Sequence, residues 1–526
     1  MSGTLARLRG RPIDLAIVLA IGIAAGAVGF VLARPLGAAS IAPDAQAAVL
    51  HFDRIVSGRL LEQYVYTTPK PLLTAVFGVL YTATGDWRAL SIATLAAYIV
   101  AVILAVILAR RYGGLVAAIF AGVALIVSSS LLFDVGFALA TPWAAMGWFG
   151  AGLAVSGIRP RYALTGVLLC LATLARLETA VLSGVVLACL VAAWAFSHAP
   201  LRAGIRPPAA AWLVPLIAFA AFPVMMLHDW RLTGDPLFWS GVAERYTEQV
   251  GSRVPSGSEI GNLIIGRYWA FGSLTLLAIV GAIRLALTRA WPILIGLAGL
   301  GPAVAVFLVF LAMRGIYVSE RYLAAEDVAV AWAAAIGAGA IASRVGLAGF
   351  ADIAGRAGIR EMLAPLASSV GLAAAALLVA GPLWQADPTL PDTVATSRRL
   401  AASTDQAVSA IAPVLDTIPA ARRVLAPGDE APQPIVLAPK PVRIRLAISL
   451  GLALPMVATT NGDAIDLASG YPGVGQIVFH SPDGDTPAAR WPELEVSRRT
   501  IVDGVAVDPL LSHPGRAWVL RIEPAP

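Results

Sequence analysis

The sequence predicts an α-helical polytopic membrane protein with amphipathic helices on its outer face and a small C-terminal α/β extracytoplasmic domain. Three observations carry that expectation. Hydrophobic residues fill 58% of the 526 positions and charged residues only 13%, about half of the quarter usual in a soluble chain. Apolar runs near 20 residues recur, the length needed to cross a hydrocarbon core of about 30 Å. From Gln385 onward, proline, charge and polar residues rise, and no further apolar run appears.

The first run, residues 13–33, is too long for a signal-peptide core and reads as a retained span. Further spans are expected near 88–109, 114–132, 137–156, 162–176, 179–197, 209–228, 270–288, 291–312, 325–343 and 364–384, about eleven in all. Residues 162–196 would form a single apolar helix of ~52 Å, far longer than the membrane is thick. Arg176 and Glu178 sit at its midpoint, where each would be costly in lipid. Two helices meeting at "ARLETA" remove the conflict.

Basic residues set the orientation. With Arg7, Arg9 and Arg11 cytoplasmic, alternate loops hold Arg110, Arg111, Arg159, Arg161, Arg202, Arg206, Arg284 and Arg289. The opposite face collects Asp44, Asp53, Glu62, Asp86, Asp134, Glu178, Glu320 and others. The N-terminus is therefore expected inside and the C-terminal domain outside. The net charge of +6 becomes mostly an orientation signal, and no nucleic-acid partner is expected. On this topology "KPLLTAVFGVLYTATG" (70–85) is a short outer-face helix, since counting it as a span would put Arg110 and Arg111 outside. Residues 34–87 then form a long outer loop of the membrane domain, 1–384, and long loops tend to be functional.

Residues 385–526 read as a separate domain. Residues 393–418 have the pattern of an amphipathic helix. "RRVLAP", "MVATT", "GQIVFH" and "AWVLRIE" read as short strands, and residues 442–454 fit helix or strand. Cys170 and Cys189 lie inside apolar runs and read as small buried hydrophobes.

The outer face is where chemistry is expected. Asp44, Asp134 and Glu178 arrive there on three separate hairpins, and a carboxylate so placed can act as a general base. Lys70, Arg176 and Arg321 stand in matching positions and could meet a phosphate, for which arginine is the better bidentate partner. Each has a structural alternative. Asp44 after Pro43 suits a helix N-cap, and Asp134 suits a solvated loop. Arg176 with Glu178, and Glu320 with Arg321, suit ion pairs at the membrane edge. His51 reads as a surface residue, and Trp143, Trp148, Trp230, Trp239 and Trp269 as an interfacial belt. No P-loop, HExxH, GxSxG or dinucleotide-binding glycine pattern occurs.

Taken in order, these segments resemble the GT-C superfamily of polyprenyl-phosphate-sugar-dependent membrane glycosyltransferases. The nearest branch is that of protein O-mannosyltransferases and lipid A aminoarabinose transferases. Asp44 follows the first span. "PKPLL" is similar to that branch's "KPPL", and "ARRYGG" to its span ending. "LLFDVGFALATPW" looks like its second acidic loop, and "LATLARLETAVL" like its fifth/sixth-span junction. "DWRLTGDPLFW" and "SERYLAAEDVAVAWAA" resemble later motifs. The resemblance covers roughly residues 10–345 and departs at Ala45, where the family often has a second acid.

The resemblance implies an inverting transfer from a polyprenyl-phosphate sugar to an acceptor hydroxyl, with hexosyl and pentosyl donors both open. The acceptor would be a cell-envelope glycan, lipid or protein at the outer face of a bacterial cytoplasmic membrane. It makes Asp44 the base, with Lys70, Arg176 and Arg321 facing the phosphate. Asp134, Glu178 and Glu320 would shape the sugar or acceptor site. A divalent cation, magnesium or manganese, is used in some branches. A transporter or flippase of a lipid-linked sugar, or an envelope-assembly scaffold, are the rival readings.

Overall fold

The computed structural model describes residues 12–33, 42–57, 70–197, 207–249, 254–318, 320–344, 390–418, 435–439, 442–452, 456–460, 476–480, 498–502, 505–512 and 518–524, together with positions 376, 381 and 383. The expected span at 364–384 falls almost wholly outside these residues, and the expected strand "RRVLAP" entirely so. The chain divides into two compact units. One comprises residues 1–33, 66–73 and 92–390, the other 34–65, 74–91 and 391–526.

The first unit is a bundle of helices. Its members are α1 (Pro12–Ala33), then α4, after α2 (Pro43–Ser57) and α3 (Pro71–Thr84) of the other unit. α4 (Arg88–Ile126) breaks at Gly114, just after "ARRYG". There φ is 79°, a left-handed value that glycine adopts without the penalty of a Cβ. Next come α5 (Ser129–Gly136), α6 (Thr141–Val155), α7 (Tyr162–Ala175) and α8 (Glu178–Ser197). The long apolar run therefore splits at "ARLETA". Arg176 is extended, at φ −142° and ψ 120°, and Glu178 opens α8, where a carboxylate favours the positive end of the helix dipole.

The bundle continues with α9 (Leu213–Phe219), α10 (Ala221–Thr233), α11 (Phe238–Gln249), α12 (Gly257–Phe271), α13 (Ser273–Leu287), α14 (Trp291–Met313) and α15 (Ala324–Arg344). Sequence reading did not separate α12 from its surroundings. It starts at a capping box of Ser256 and Glu259 and meets α13 at an angle of 93°, turning at Gly272 with φ 47°. Among the described residues, five helices are long and apolar enough to cross a membrane, or six if α12 and α13 count as one span. The remaining described runs form shorter apolar helices. The molecule is a helical polytopic membrane protein.

Small residues let these helices approach closely, a common device where lipid is the surrounding solvent. A Cβ on Gly281 would lie 2.0 Å from the Ala333 carbonyl oxygen, and one on Gly337 2.0 Å from that of Leu277. α13 and α15 thus touch backbone to backbone. Trp332 is fully buried and donates its indole N–H to the Ala105 carbonyl at 3.1 Å.

The second unit combines α2 and α3 with α16 (Leu390–Leu415), α17 (Arg443–Ser449) and one six-stranded sheet. The strands are β1 (Val436–Pro439), β2 (Val457–Thr460), β3 (Gln476–His480), β4 (Thr500–Val502), β5 (Val505–Ser512) and β6 (Trp518–Pro524). Their order is β2-β1-β3-β6-β5-β4. β1 pairs in parallel with β2 and β3, and the other pairs are antiparallel. α17 supplies the crossover that parallel β1 and β2 require. Leu50 of α2 packs in the core of this unit with Ala407, Ile411, Val436, Leu446 and Ile477.

Candidate functional site

Three of the expected site residues come together at one end of the helical bundle. Asp134, buried on α5, accepts a hydrogen bond from the Thr141 backbone N–H at 2.9 Å. The Arg176 guanidinium donates to the Thr141 hydroxyl through Nη1 and to Glu178 through Nε. Its Nη2 reaches the Arg321 carbonyl at 3.5 Å. Arg176 and Glu178 are 8% and 2% exposed, so this is a buried pair whose charges neutralise one another. A buried charge is tolerated only when paired and hydrogen-bonded, and the two-residue spacing across the α7/α8 break allows that pairing.

A second buried pair lies beside it. Arg267 of α12 binds Asp327 of α15 through two parallel bonds, Nε to Oδ1 at 3.0 Å and Nη2 to Oδ2 at 2.7 Å. The Ser130 hydroxyl donates to Asp327 and accepts from Arg267 at 3.3 Å. Ser130 and Asp134 are one turn apart on α5, on the same side of the helix. That short helix therefore joins both networks, and the turn at residues 320–323 closes the circuit, since it contacts Arg176 and leads into the helix of Asp327. Sequence reading missed Arg267, Ser130 and Thr141. The visible signal was the acidic doublet Glu326-Asp327 near the start of an apolar helix, which demands a partner. Glu326 is 1% exposed, and neither of its carboxylate oxygens has a hydrogen-bond partner among the described residues.

The other expected site residues are placed differently. Asp44, half-buried, lies in the first turn of α2, and the Ala42 carbonyl accepts from Gln46 N at 3.2 Å. Ala42 thus opens the helix, and Asp44 is not its N-cap. Lys70 is half-buried immediately before α3. Arg321 joins the network by its carbonyl, while its side chain is exposed. Glu320 starts a 3-10 turn, and its side chain lies outside the described residues. His51 is buried rather than at a surface. Of the expected belt tryptophans, Trp230 and Trp269 are exposed and Trp239 is buried. Trp143 and Trp148 turn inward, donating to Thr94 at 3.3 Å and Thr179 at 3.1 Å.

Around α2 the second unit has its own polar cluster. Gln46 Oε1 accepts from the Arg445 backbone N–H at 2.9 Å. The Arg445 side chain donates to Asp405 at 2.5 Å and lies over the Trp87 ring, 5.9 Å from its centroid. Tyr81 packs on Trp87 with ring centroids 4.3 Å apart. Burial pushes the Tyr81 phenol above its ordinary pKa, against the opposing pull of a hydrogen bond with Ser449.

Among the described residues, no three His, Cys, Asp or Glu side chains gather closely enough to hold a metal ion. Asp134 and Glu178 are already engaged by an N–H and a guanidinium.

The fold matches that of ArnT from Cupriavidus metallidurans in the apo state, at 16% identity over 98% of each chain, with a TM-score of 0.50. ArnT from the same organism bound to undecaprenyl phosphate matches at 16% identity over 96% of this chain and 97% of that one, with a TM-score of 0.49. The archaeal oligosaccharyltransferase AglB from Archaeoglobus fulgidus, in complex with an inhibitory peptide and a dolichol-phosphate, matches at 13% identity over 85% of this chain and 64% of its own, with a TM-score of 0.47. No protein-family model and no curated protein matches the sequence. The chain thus shares the fold of ArnT along nearly its whole length.

Proposed function

We propose that this protein is an inverting glycosyltransferase. It moves a hexosyl or pentosyl group from a polyprenyl-phosphate donor to an acceptor hydroxyl on a cell-envelope glycan, lipid or protein. The reaction takes place at the outer face of the bacterial cytoplasmic membrane. The observation that carries this reading is the end-to-end correspondence of the fold with ArnT. The order of the acidic and basic motifs along the chain supports it.

Asp44 is the base. It takes the proton of the acceptor hydroxyl as that oxygen attacks the anomeric carbon from the face opposite the phosphate. The bond from the anomeric carbon to the phosphate oxygen breaks, the polyprenyl phosphate leaves, and the configuration inverts. Lys70 and the exposed side chain of Arg321 supply positive charge to the departing phosphate. Each Arg176 guanidinium nitrogen already donates one bond within the protein, and its part is to hold the turn that carries Arg321. Asp134 and Glu178 fix Thr141 and Arg176 in turn and shape the site through them.

The test is Asp44→Asn in isolated membranes supplied with polyprenyl-phosphate hexose and pentose donors. Transfer is expected to fall by about 100-fold or more, the scale of general-base catalysis, while the protein accumulates as the parent does. Transfer close to the parent rate would overturn the reading. Movement of the lipid-linked sugar across the bilayer that persists in the same variant would favour a flippase.

A further inference from the structure

We infer that the C-terminal α/β segment seats the helix that carries Asp44, and that Gln46 and Arg445 are positioning residues for that carboxylate. The inference rests on the reading of Asp44 as the base and adds a role for the C-terminal segment.

Three observations lead to it. Gln46 is 2% exposed, and its amide oxygen takes the backbone N–H of Arg445. That N–H lies in the first turn of α17, where backbone donors have no partner within the helix. A side chain of α2 therefore satisfies a donor some 400 positions away in sequence, and the bond is directional. One turn further along α2, Leu50 is 3% exposed within a core otherwise built from residues of the C-terminal segment. Gln46 and Leu50 share one side of the helix, whereas Asp44 lies about 200° around it from Gln46. One side is bonded into the seat, and Asp44 is on another.

Arg445 makes the seat stiff. Its backbone holds Gln46, its guanidinium holds Asp405 of α16, and it covers Trp87, the residue just before α4. One residue of α17 thus ties the Asp44 helix to α16 and to Trp87. A general base must sit within hydrogen-bond reach of the proton it removes, and a misplacement of 1 Å can lower a rate about 100-fold. Gln46 and Arg445 hold the axial position and rotation of α2, on which that reach depends.

The experiment uses the purified full-length protein with polyprenyl-phosphate hexose and pentose donors. Gln46→Ala is expected to lower kcat about 10- to 100-fold, with the donor KM little changed. Gln46→Glu keeps an accepting oxygen and is expected to recover most of kcat. Parent-like kcat in Gln46→Ala, or equal impairment in both variants, overturns the seating. Asp44→Asn is measured alongside. If it stays active, the base reading fails. If it is inactive while Gln46→Ala is normal, only the seating fails. Hydrogen exchange over residues 43–57 gives a readout that needs no turnover. Faster exchange in Gln46→Ala but not in Gln46→Glu is expected, and unchanged exchange in both overturns the proposal.

Discussion

Arg176 shows how one side chain can be read from sequence in outline and still change role in the structure. Its place at the midpoint of a 35-residue apolar run forces a break there, and the pairing with Glu178 follows from their two-residue spacing. The sequence does not reveal that Thr141 and the Arg321 carbonyl meet the two remaining nitrogens. Removing one member of a buried pair leaves an uncompensated charge and costs about 3–5 kcal/mol. Glu178→Ala should therefore lower the thermal midpoint sharply in detergent, read by loss of monodisperse protein on heating. Glu326→Gln is the contrasting case, because no hydrogen bond is lost and a carboxylate at 1% exposure becomes a neutral amide. It should leave the midpoint unchanged or raise it. The Arg267–Asp327 pair was illegible because its members stand 60 residues apart, and a single sequence carries no sign of which charges will meet.

At the scale of elements, hydropathy located most helices, and the thickness of the membrane decided how to divide them. The same reasoning kept α3 from being counted as a span. Two kinds of element were hidden. α12 is apolar enough to merge with α13, and only the turn at Gly272 separates them. β5 contains Asp508 and Pro509, and a proline inside a run argues against a strand. The structure tolerates it because the ladder is irregular between Pro509 and Leu511. Close contact between helices was also unreadable, since small residues are common throughout the chain. Gly281→Ala or Gly337→Ala should drive α13 and α15 apart, because the new methyl would sit 2.0 Å from a carbonyl oxygen. Overpacking of this kind typically costs about 1–3 kcal/mol. Gly184→Ala, where nothing lies within 4 Å, is the control that should melt like the parent.

For the whole molecule, orientation decides which side of the membrane each loop meets. The basic loops predict that α2 and the sheet lie outside, and the loop between α6 and α7 inside. With Cys170 and Cys189 replaced by serine, Ser57→Cys and Arg499→Cys should react with an impermeant maleimide in intact cells. Arg159→Cys should react only after the membrane is opened. All three positions are exposed, so a reversed pattern would reverse the topology and remove the site from the outer face.

The short helices around the polar network act on the lipid as well as on the protein. α7 has 14 residues and α6 has 15, so they rise only about 21 and 22 Å against a hydrocarbon core of about 30 Å. A bilayer meets such a mismatch by thinning locally. Acyl chains beside α7, whose Leu164, Val167 and Leu171 are exposed, should tilt or compress, drawing headgroups on that side toward the midplane. On the expected topology, the network at Arg176 should then stand in a thinned patch of the membrane. On the proposed reading, the phosphate of the isoprenoid-linked donor would reach that depth without leaving its own leaflet.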